Sequence, residues 1–107
     1  MLHRTEVTQP ALFAMQVGLL AELRAYGVKP TLVIGHSVGE VAAAYAAGLL
    51  SLETACRVVV ARARGMKDQA GRGKMFSVEL TEAEALAALG EERRVVSIAA
   101  INGPRSV

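Results

Sequence analysis

One serine lies between two glycines in a pattern that suits covalent catalysis. Residues 34–40 have the sequence IGHSVGE, which follows the β-branched segment Thr31–Ile34 and precedes an alanine-rich stretch from Val41. A G-x-S-x-G sequence between a strand and a helix is typical of a nucleophile elbow. The turn is sharp and strained, and it projects the serine hydroxyl at the carboxyl end of the strand, where α/β sheets bind ligands. Ser37 is therefore predicted to be a nucleophile.

The neighbours of Ser37 have supporting roles in this hypothesis. Gly35 and Gly39 are expected because side chains at those positions would collide with the adjoining strand and helix. The Val38 N–H, at the start of a helix, is placed to stabilise an oxyanion. His36 adjoins Ser37, so the two side chains diverge, and we expect His36 to line the site or to bind backbone. The alternative is a glycine-rich turn whose serine only caps the helix.

A general base is missing from this pattern. The chain has two histidines, and His3 lies in the leading segment, where we expect it on the surface. A serine nucleophile normally needs a base beside it. We therefore expect the chain to be part of a larger catalytic unit, and residues 1–107 alone to be inactive and prone to associate.

Hydrophobic periodicity and capping residues predict the elements that must position Ser37. Pro10 is expected at the first position of its helix, Ser51 and Thr81 at N-caps, and Thr81 in a capping box with Glu84. The predicted helices span Pro10–Tyr26, Val41–Gly48, Ser51 to about Gln69, and Thr81–Leu89. The predicted strands are Thr31–Ile34, Met75–Glu79 and Val95–Ile101, and a turn is expected at Asn102–Pro104. The apolar faces are predicted to comprise Leu12, Met15, Leu19 and Leu23 on the first helix, and Leu52, Ala55, Cys56, Val59, Ala63 and Met66 on the third.

Composition excludes several classes of protein. The chain is 52% hydrophobic and 21% charged, with a net charge of +2 and four aromatic residues, which argues against disorder and nucleic-acid binding. Its longest apolar run, ten residues, is half of a membrane span. One cysteine, Cys56, allows no internal disulfide and fits the reducing cytoplasm, where we expect the protein; Cys56 is interpreted as a small core residue. No part of the sequence is typical of a metal site.

At this point the sequence resembles a known family, the acyl-CoA:acyl-carrier-protein transferases, which include malonyl transacylases and the acyltransferase domains of modular polyketide synthases. GHSVGE carries a glutamate after the second glycine, as in that family. Three further matches lie at family spacing. They are TQPALFA at residues 8–14, AGLLSLE at residues 47–53, and Arg62, twenty-five residues after Ser37. The sequences of these motifs most resemble the polyketide synthase branch of the family.

The resemblance implies an α/β fold in two parts. Residues 1–72 would be part of an α/β-hydrolase-like parallel-sheet core with the nucleophile elbow, and residues 73–107 the beginning of a ferredoxin-like α+β subdomain. It implies ping-pong transfer of a malonyl-type group from coenzyme A, through Ser37, to the phosphopantetheine thiol of an acyl carrier protein. No cofactor is expected to be bound. The catalytic histidine and a second oxyanion donor, a glutamine, would lie outside this chain, and neighbouring synthase domains are further expected partners.

The resemblance also assigns substrate-binding residues. Arg62 falls where the family keeps the arginine that binds the acyl carboxylate, and a guanidinium suits that task through paired charge-assisted hydrogen bonds. From composition alone, Arg62 belongs to a solvated basic face formed by Arg57, Arg62, Arg64, Lys67, Arg72 and Lys74. Gln9 is included in the substrate site at a lower rank, with a structural role near the turn as the alternative. The residue after the serine, Val38, is aliphatic, which is similar to the same position in malonyl-selective domains.

Two other hypotheses remain open for the sequence. One is an α/β-hydrolase-type serine esterase or thioesterase, against which Glu40 and the Arg62 spacing argue. The other is a non-catalytic remnant, such as a truncated reading frame. Release of free acid as the main product would favour the hydrolase.

Overall fold

Four α-helices and one short 3-10 helix make up the regular structure of the computed structural model, which describes residues 4–107. The helices are α1 (Thr5–Ala25), α2 (Gly39–Ala46), α3 (Leu52–Asp68) and α4 (Glu82–Leu89), and the 3-10 helix is Gly90–Arg94. The chain divides into two compact units, one ending at Arg72 and the other spanning Gly73–Val107. The assignment of these units to hydrolase-like and ferredoxin-like subdomains stays a prediction.

The three predicted strands do not form in the described residues. Residues 31–34, 75–79 and 95–101 are irregular or turn-like, so the strand predictions are not confirmed there. A strand requires a neighbour that shares its backbone hydrogen bonds, and no described residue pairs in this way with residues 31–34. In the second unit, Val78 and Val107 exchange two backbone hydrogen bonds of 2.9 and 3.2 Å, and Gly103 forms an antiparallel bridge with Ser106. The predicted turn at Asn102–Pro104 is present, and across it the Ser106 N–H donates a hydrogen bond to the Gly103 carbonyl.

Helix α1 begins five residues earlier than its sequence predicts. Pro10 therefore lies inside the helix and not at its first position. The C-terminal end agrees with the prediction: the Gly27 N–H donates to the Arg24 carbonyl and the Val28 N–H to the Leu23 carbonyl, both at 2.9 Å. This pair of bonds is a Schellman motif, which satisfies carbonyls that the helix leaves open.

The core of the first unit lies where α1, α2 and α3 pack against one another. Phe13, Ala55 and Val59 form its fully buried centre, and the Phe13 ring meets the Tyr45 ring edge-on with a centroid separation of 6.4 Å. Ala55 and Ala42 belong to the same cluster, and their small side chains occupy little of the space between the helices.

The predicted apolar faces are only partly correct. On α3, Ala55, Val59 and Ala63 are buried as predicted, but Leu52, Cys56 and Met66 are exposed. Cys56 is one position past Ala55 and so turns away from the core, because successive helical residues are about 100° apart. On α1 the buried residues are Gln9 and Phe13. The predicted α1 face is exposed, namely Leu12, Met15, Leu19 and Leu23, because α3 packs on the neighbouring stripe.

The caps of α3 and α4 form as predicted. The Ser51 hydroxyl accepts a hydrogen bond from the Thr54 N–H at 3.1 Å. Thr81 and Glu84 form a reciprocal capping box, in which the Thr81 N–H donates to the Glu84 carboxylate at 2.8 Å and the Glu84 N–H to the Thr81 hydroxyl at 3.2 Å. No helix among residues 4–107 is both long and apolar enough to span a bilayer.

The capping box predicts a pH dependence of the second unit. Hydrogen bonds from the Thr81 backbone and side chain, and then from Arg105, hold the pKa of the Glu84 carboxyl below its ordinary value of 4.5. A lowered pKa in the folded state stabilises α4 above the ordinary value, and this contribution is lost as the pH falls through the lowered pKa. Titration of the Glu84 carboxyl carbon by NMR measures that pKa. A value at or above the ordinary one would contradict the prediction, and Glu84→Gln should remove this part of the acid sensitivity.

Candidate active site at the Gly35–Gly39 turn

The turn that carries Ser37 has a strained backbone. Ser37 has a φ of +56° and is the one non-glycine residue with a positive φ among residues 4–107. Residues with a side chain rarely adopt this left-handed backbone conformation, because the Cβ atom then crowds the backbone. The Gly39 N–H donates to the His36 carbonyl at 2.9 Å and the Glu40 N–H to the Ser37 carbonyl at 3.1 Å. These bonds join the turn to the first residues of α2 and leave the Ser37 side chain exposed.

Gly35 is required by the close approach of the chain to α2. A Cβ added at Gly35 would lie 2.3 Å from Glu40 Cα and 2.4 Å from the Glu40 nitrogen, far inside van der Waals contact. Gly39 is different: an added Cβ would lie 3.7 Å from Gln16 Nε2, which is an ordinary contact. The collision expected at Gly39 is therefore not met by the described residues.

Val38 presents a backbone donor beside the serine. The N–H groups of Gly39, Glu40 and Val41 all donate within the turn, whereas the Val38 N–H donates to no described residue. The Val38 side chain packs against the buried core of the first unit, which anchors this point of the backbone. A free N–H at the start of a helix is a suitable donor to a negatively charged oxygen.

Arg62 contacts the serine directly. Its Nη2 donates to Ser37 Oγ at 2.9 Å, although the two residues are twenty-five positions apart. Arg62 precedes Ala63 on the buried face of α3, and that packing brings its side chain across to the turn. Of the basic residues between 57 and 74, Arg62 is the half-buried one, and the others are exposed. Arg57 pairs with Glu53 at 2.7 Å and Lys67 with Glu6 at 3.5 Å.

Gln9 and Met66 complete a polar group around Arg62. Gln9 is buried, with 6% of its surface exposed, and its Oε1 accepts from Arg62 Nη1 at 2.5 Å. Met66 Sδ accepts from Gln9 Nε2 at 2.9 Å and from Arg62 Nη1 at 3.2 Å. The hydrophobic periodicity predicts Met66 only as part of an apolar face. Its spacing of four residues from Arg62 was the available signal, because residues i and i+4 are neighbours on a helix.

His36 is exposed, and its ring forms no hydrogen bond with a described residue. It borders a cavity of about 390 Å³ that is also lined by Gln16, Val17, Gly35 and Ala42. Among residues 4–107 no three His, Cys, Asp or Glu side chains are grouped so that they could hold a metal ion.

Solved structures of other proteins share the fold of this chain. The structure superposes on a loading acyltransferase from the avermectin modular polyketide synthase with a TM-score of 0.91 and 42% identity, over 98% of this chain and 34% of that one. It superposes on the acyltransferase domain from module 8 of the salinomycin polyketide synthase with a TM-score of 0.88 and 43% identity, over 98% of this chain and 25% of that one. The described fold is therefore that of part of a polyketide synthase acyltransferase domain.

The sequence comparison defines the family. The model of the acyl transferase domain family matches residues 1–107. The chain is 54% identical over 108 residues to the polyketide synthase GfsA of Streptomyces halstedii, a match that covers 100% of this chain and 1% of that protein. The chain belongs to the acyl transferase domain family, and it spans a small part of the length of these relatives.

The contact at Gly35 predicts a severe effect of one methyl group. Gly35→Ala should destabilise the first unit by more than about 2 kcal/mol, because backbone atoms of α2 must move to admit the Cβ. Gly18→Ala is the matched control, since Gly18 lies inside α1 with nothing within 4 Å of an added Cβ. It should stabilise the protein by about 0.5–1 kcal/mol. Urea denaturation of both variants measures the difference, and equal stabilities would contradict the close approach.

Proposed function

We propose that this chain forms the acyl-enzyme site of an acyltransferase that moves a malonyl-type group from coenzyme A to an acyl carrier protein. The observation that supports it best is the 2.9 Å hydrogen bond between Arg62 Nη2 and Ser37 Oγ. It brings a nucleophile and a cation together, so that an acyl group attached to Ser37 starts beside the guanidinium. Membership of the acyl transferase domain family supports transfer over hydrolysis.

In the proposed reaction, Ser37 Oγ attacks the carbonyl carbon of the acyl thioester. A C–O bond forms and the C–S bond breaks, so that coenzyme A leaves as its thiol and the acyl group stays on Ser37 as an ester. The phosphopantetheine thiol of the carrier protein then attacks this ester and releases the serine. The Val38 N–H stabilises the oxyanion in both steps. By resemblance to the family, a histidine outside this chain takes the Ser37 proton, and a glutamine outside it is the second oxyanion donor.

Arg62 would recognise the free carboxylate of the acyl group. In a malonyl ester this carboxylate is one methylene from the carbonyl carbon, close enough for a guanidinium that already contacts Oγ. Charge-assisted hydrogen bonds between a guanidinium and a carboxylate are among the stronger ones in proteins. The same interaction is missing for an acetyl group, so Arg62 favours acyl groups that carry a carboxylate. His36, which is exposed next to Ser37 in the sequence, would line the path of the substrate.

The proposal extends to the partners, the subdomains and the location of the protein. In a relative that is 54% identical, the matching region is part of a polyketide synthase, so the proposed partners are a carrier protein and neighbouring synthase domains. The segment Thr31–Ile34 would be a strand of a hydrolase-like parallel sheet, and residues 73–107 the beginning of a ferredoxin-like subdomain. A cytoplasmic location accords with the single free cysteine.

Acylation of Ser37 is the direct test of this function. The full-length synthase that carries this chain should gain one malonyl group from malonyl-CoA, seen as a mass increase on a peptide containing Ser37. Ser37→Ala should abolish the increase, because no hydroxyl remains to form the ester. Ser97→Ala, at an exposed serine of the second unit, should retain it. A malonyl mass increase on the same peptide in Ser37→Ala would rule the mechanism out, and free malonate as the main product would favour the hydrolase.

The role of Arg62 predicts a change in acyl preference. Arg62→Ala should lower the rate of malonyl transfer by about a hundredfold, because both charge-assisted hydrogen bonds to the carboxylate are lost and each contributes about tenfold, and should lower acetyl transfer much less. Arg64→Ala is the control, because Arg64 is exposed on the same helix. Competition between malonyl-CoA and acetyl-CoA measures the preference. An unchanged ratio in Arg62→Ala would exclude carboxylate recognition by this residue.

A further inference from the structure

The hydrogen bonds of Arg62 divide its guanidinium into an occupied side and an open side. A guanidinium has five N–H donors in a fixed plane. Nη1 donates to two acceptors, Gln9 Oε1 and Met66 Sδ, which uses both of its hydrogens. Nη2 donates to Ser37 Oγ and keeps one hydrogen, and Nε donates to no described residue. The donors left for a ligand are therefore one hydrogen of Nη2 and the Nε hydrogen, on the two nitrogens that border one edge of the guanidinium plane.

Both polar atoms of the Gln9 side chain already have a partner inside the protein. Its oxygen accepts from Arg62 and its nitrogen donates to Met66, and the residue is buried on the face of α1 that packs against α3. A buried amide with both ends engaged is costly to disrupt, since each freed group would lose its partner. These contacts are those of a residue that holds another side chain in place.

We propose that Gln9 and Met66 are positioning residues that hold Nη1 of Arg62, so that the Nη2–Nε edge faces the acyl group on Ser37 and selects acyl groups with a carboxylate. This inference rests on the proposed acyltransferase function and replaces a direct contact of Gln9 with substrate. An arginine side chain has many rotamers, and ordering it on binding costs entropy. In this structure the Arg62 side chain is already ordered before substrate binds, because three acceptors hold its guanidinium. These are Gln9 on α1, Ser37 on the turn and Met66 on α3.

The consequence is an effect confined to acyl groups that need Arg62. Without the Gln9 oxygen, Nη1 loses its buried acceptor and the guanidinium can rotate away from Ser37. A malonyl group then loses its aligned partner, whereas an acetyl group, which offers no carboxylate, loses little. A purely structural role for Gln9 would lower transfer of both groups alike.

The test compares the same substitution at two glutamines of the first unit in the full-length synthase. Gln9→Leu should raise KM for malonyl-CoA and lower the malonyl-to-acetyl ratio of kcat/KM about tenfold, the effect of one lost hydrogen bond to a charged group. Its kcat/KM for acetyl-CoA should stay within about twofold. Gln69→Leu is the control, because Gln69 is exposed and its Oε1 accepts from Arg72 at 3.4 Å, away from Arg62. Its ratio should equal that of the unsubstituted protein.

A second variant keeps the proposal testable if Gln9→Leu does not fold. Met66→Leu removes the sulfur acceptor at an exposed position while it keeps an apolar side chain, and it should lower the same ratio by about threefold, since a thioether is a weaker acceptor. An unchanged ratio in the variants that fold, or equal loss of malonyl and acetyl transfer, would overturn the positioning role. Failure of the unsubstituted synthase to form any acyl-enzyme would instead contradict the proposed function.

Discussion

The contact between α1 and α3 is the interaction on which the rest of the site depends. Phe13 from α1 fits against Ala55 and Val59 of α3, and these three side chains are the buried centre of the first unit. One turn before Phe13 on α1 lies Gln9, and towards the C-terminal end of α3 lies Arg62. The apolar packing therefore brings together two polar side chains that are fifty-three residues apart in the sequence. Burial of aromatic and aliphatic surface supplies the free energy for this arrangement.

The turn imposes a second constraint, which acts at shorter range. At Gly35 the backbone of α2 lies so close that a side chain would collide with it. Ser37 has a left-handed backbone conformation, which is unfavourable for residues other than glycine. Such strain persists only where the surroundings hold it. Here the first turn of α2 and the Val38 side chain in the core hold the backbone, and the Ser37 hydroxyl is left facing Arg62.

The sequence predicted the local features of this molecule better than its packing. Ser51, Thr81 with Glu84, and Gly27 mark helix ends through chemistry within a few residues, and the structure has those ends. The α1 face was wrong because that helix carries two apolar stripes, and its own periodicity does not show which one α3 covers. The strands were not found because strand formation depends on a partner, which a segment such as Thr31–Ile34 does not carry within itself. For the site, spacing and family resemblance indicated Ser37 and Arg62, whereas the sulfur of Met66 appeared only in the folded structure.

Among residues 4–107, the side chains grouped at the Ser37 hydroxyl come from one continuous stretch of chain, from Gln9 to Met66, inside the first compact unit. A protein engineer who exchanges segments between synthases would thus transfer the serine, the arginine and its supports together, provided that the crossover falls after α3. A crossover within α2 or the loop before α3 would combine a glutamine from one parent with an arginine from another. The packing that sets the distance between these two side chains would then come from two different proteins. The hydrogen bonds around the guanidinium would no longer be transferred intact.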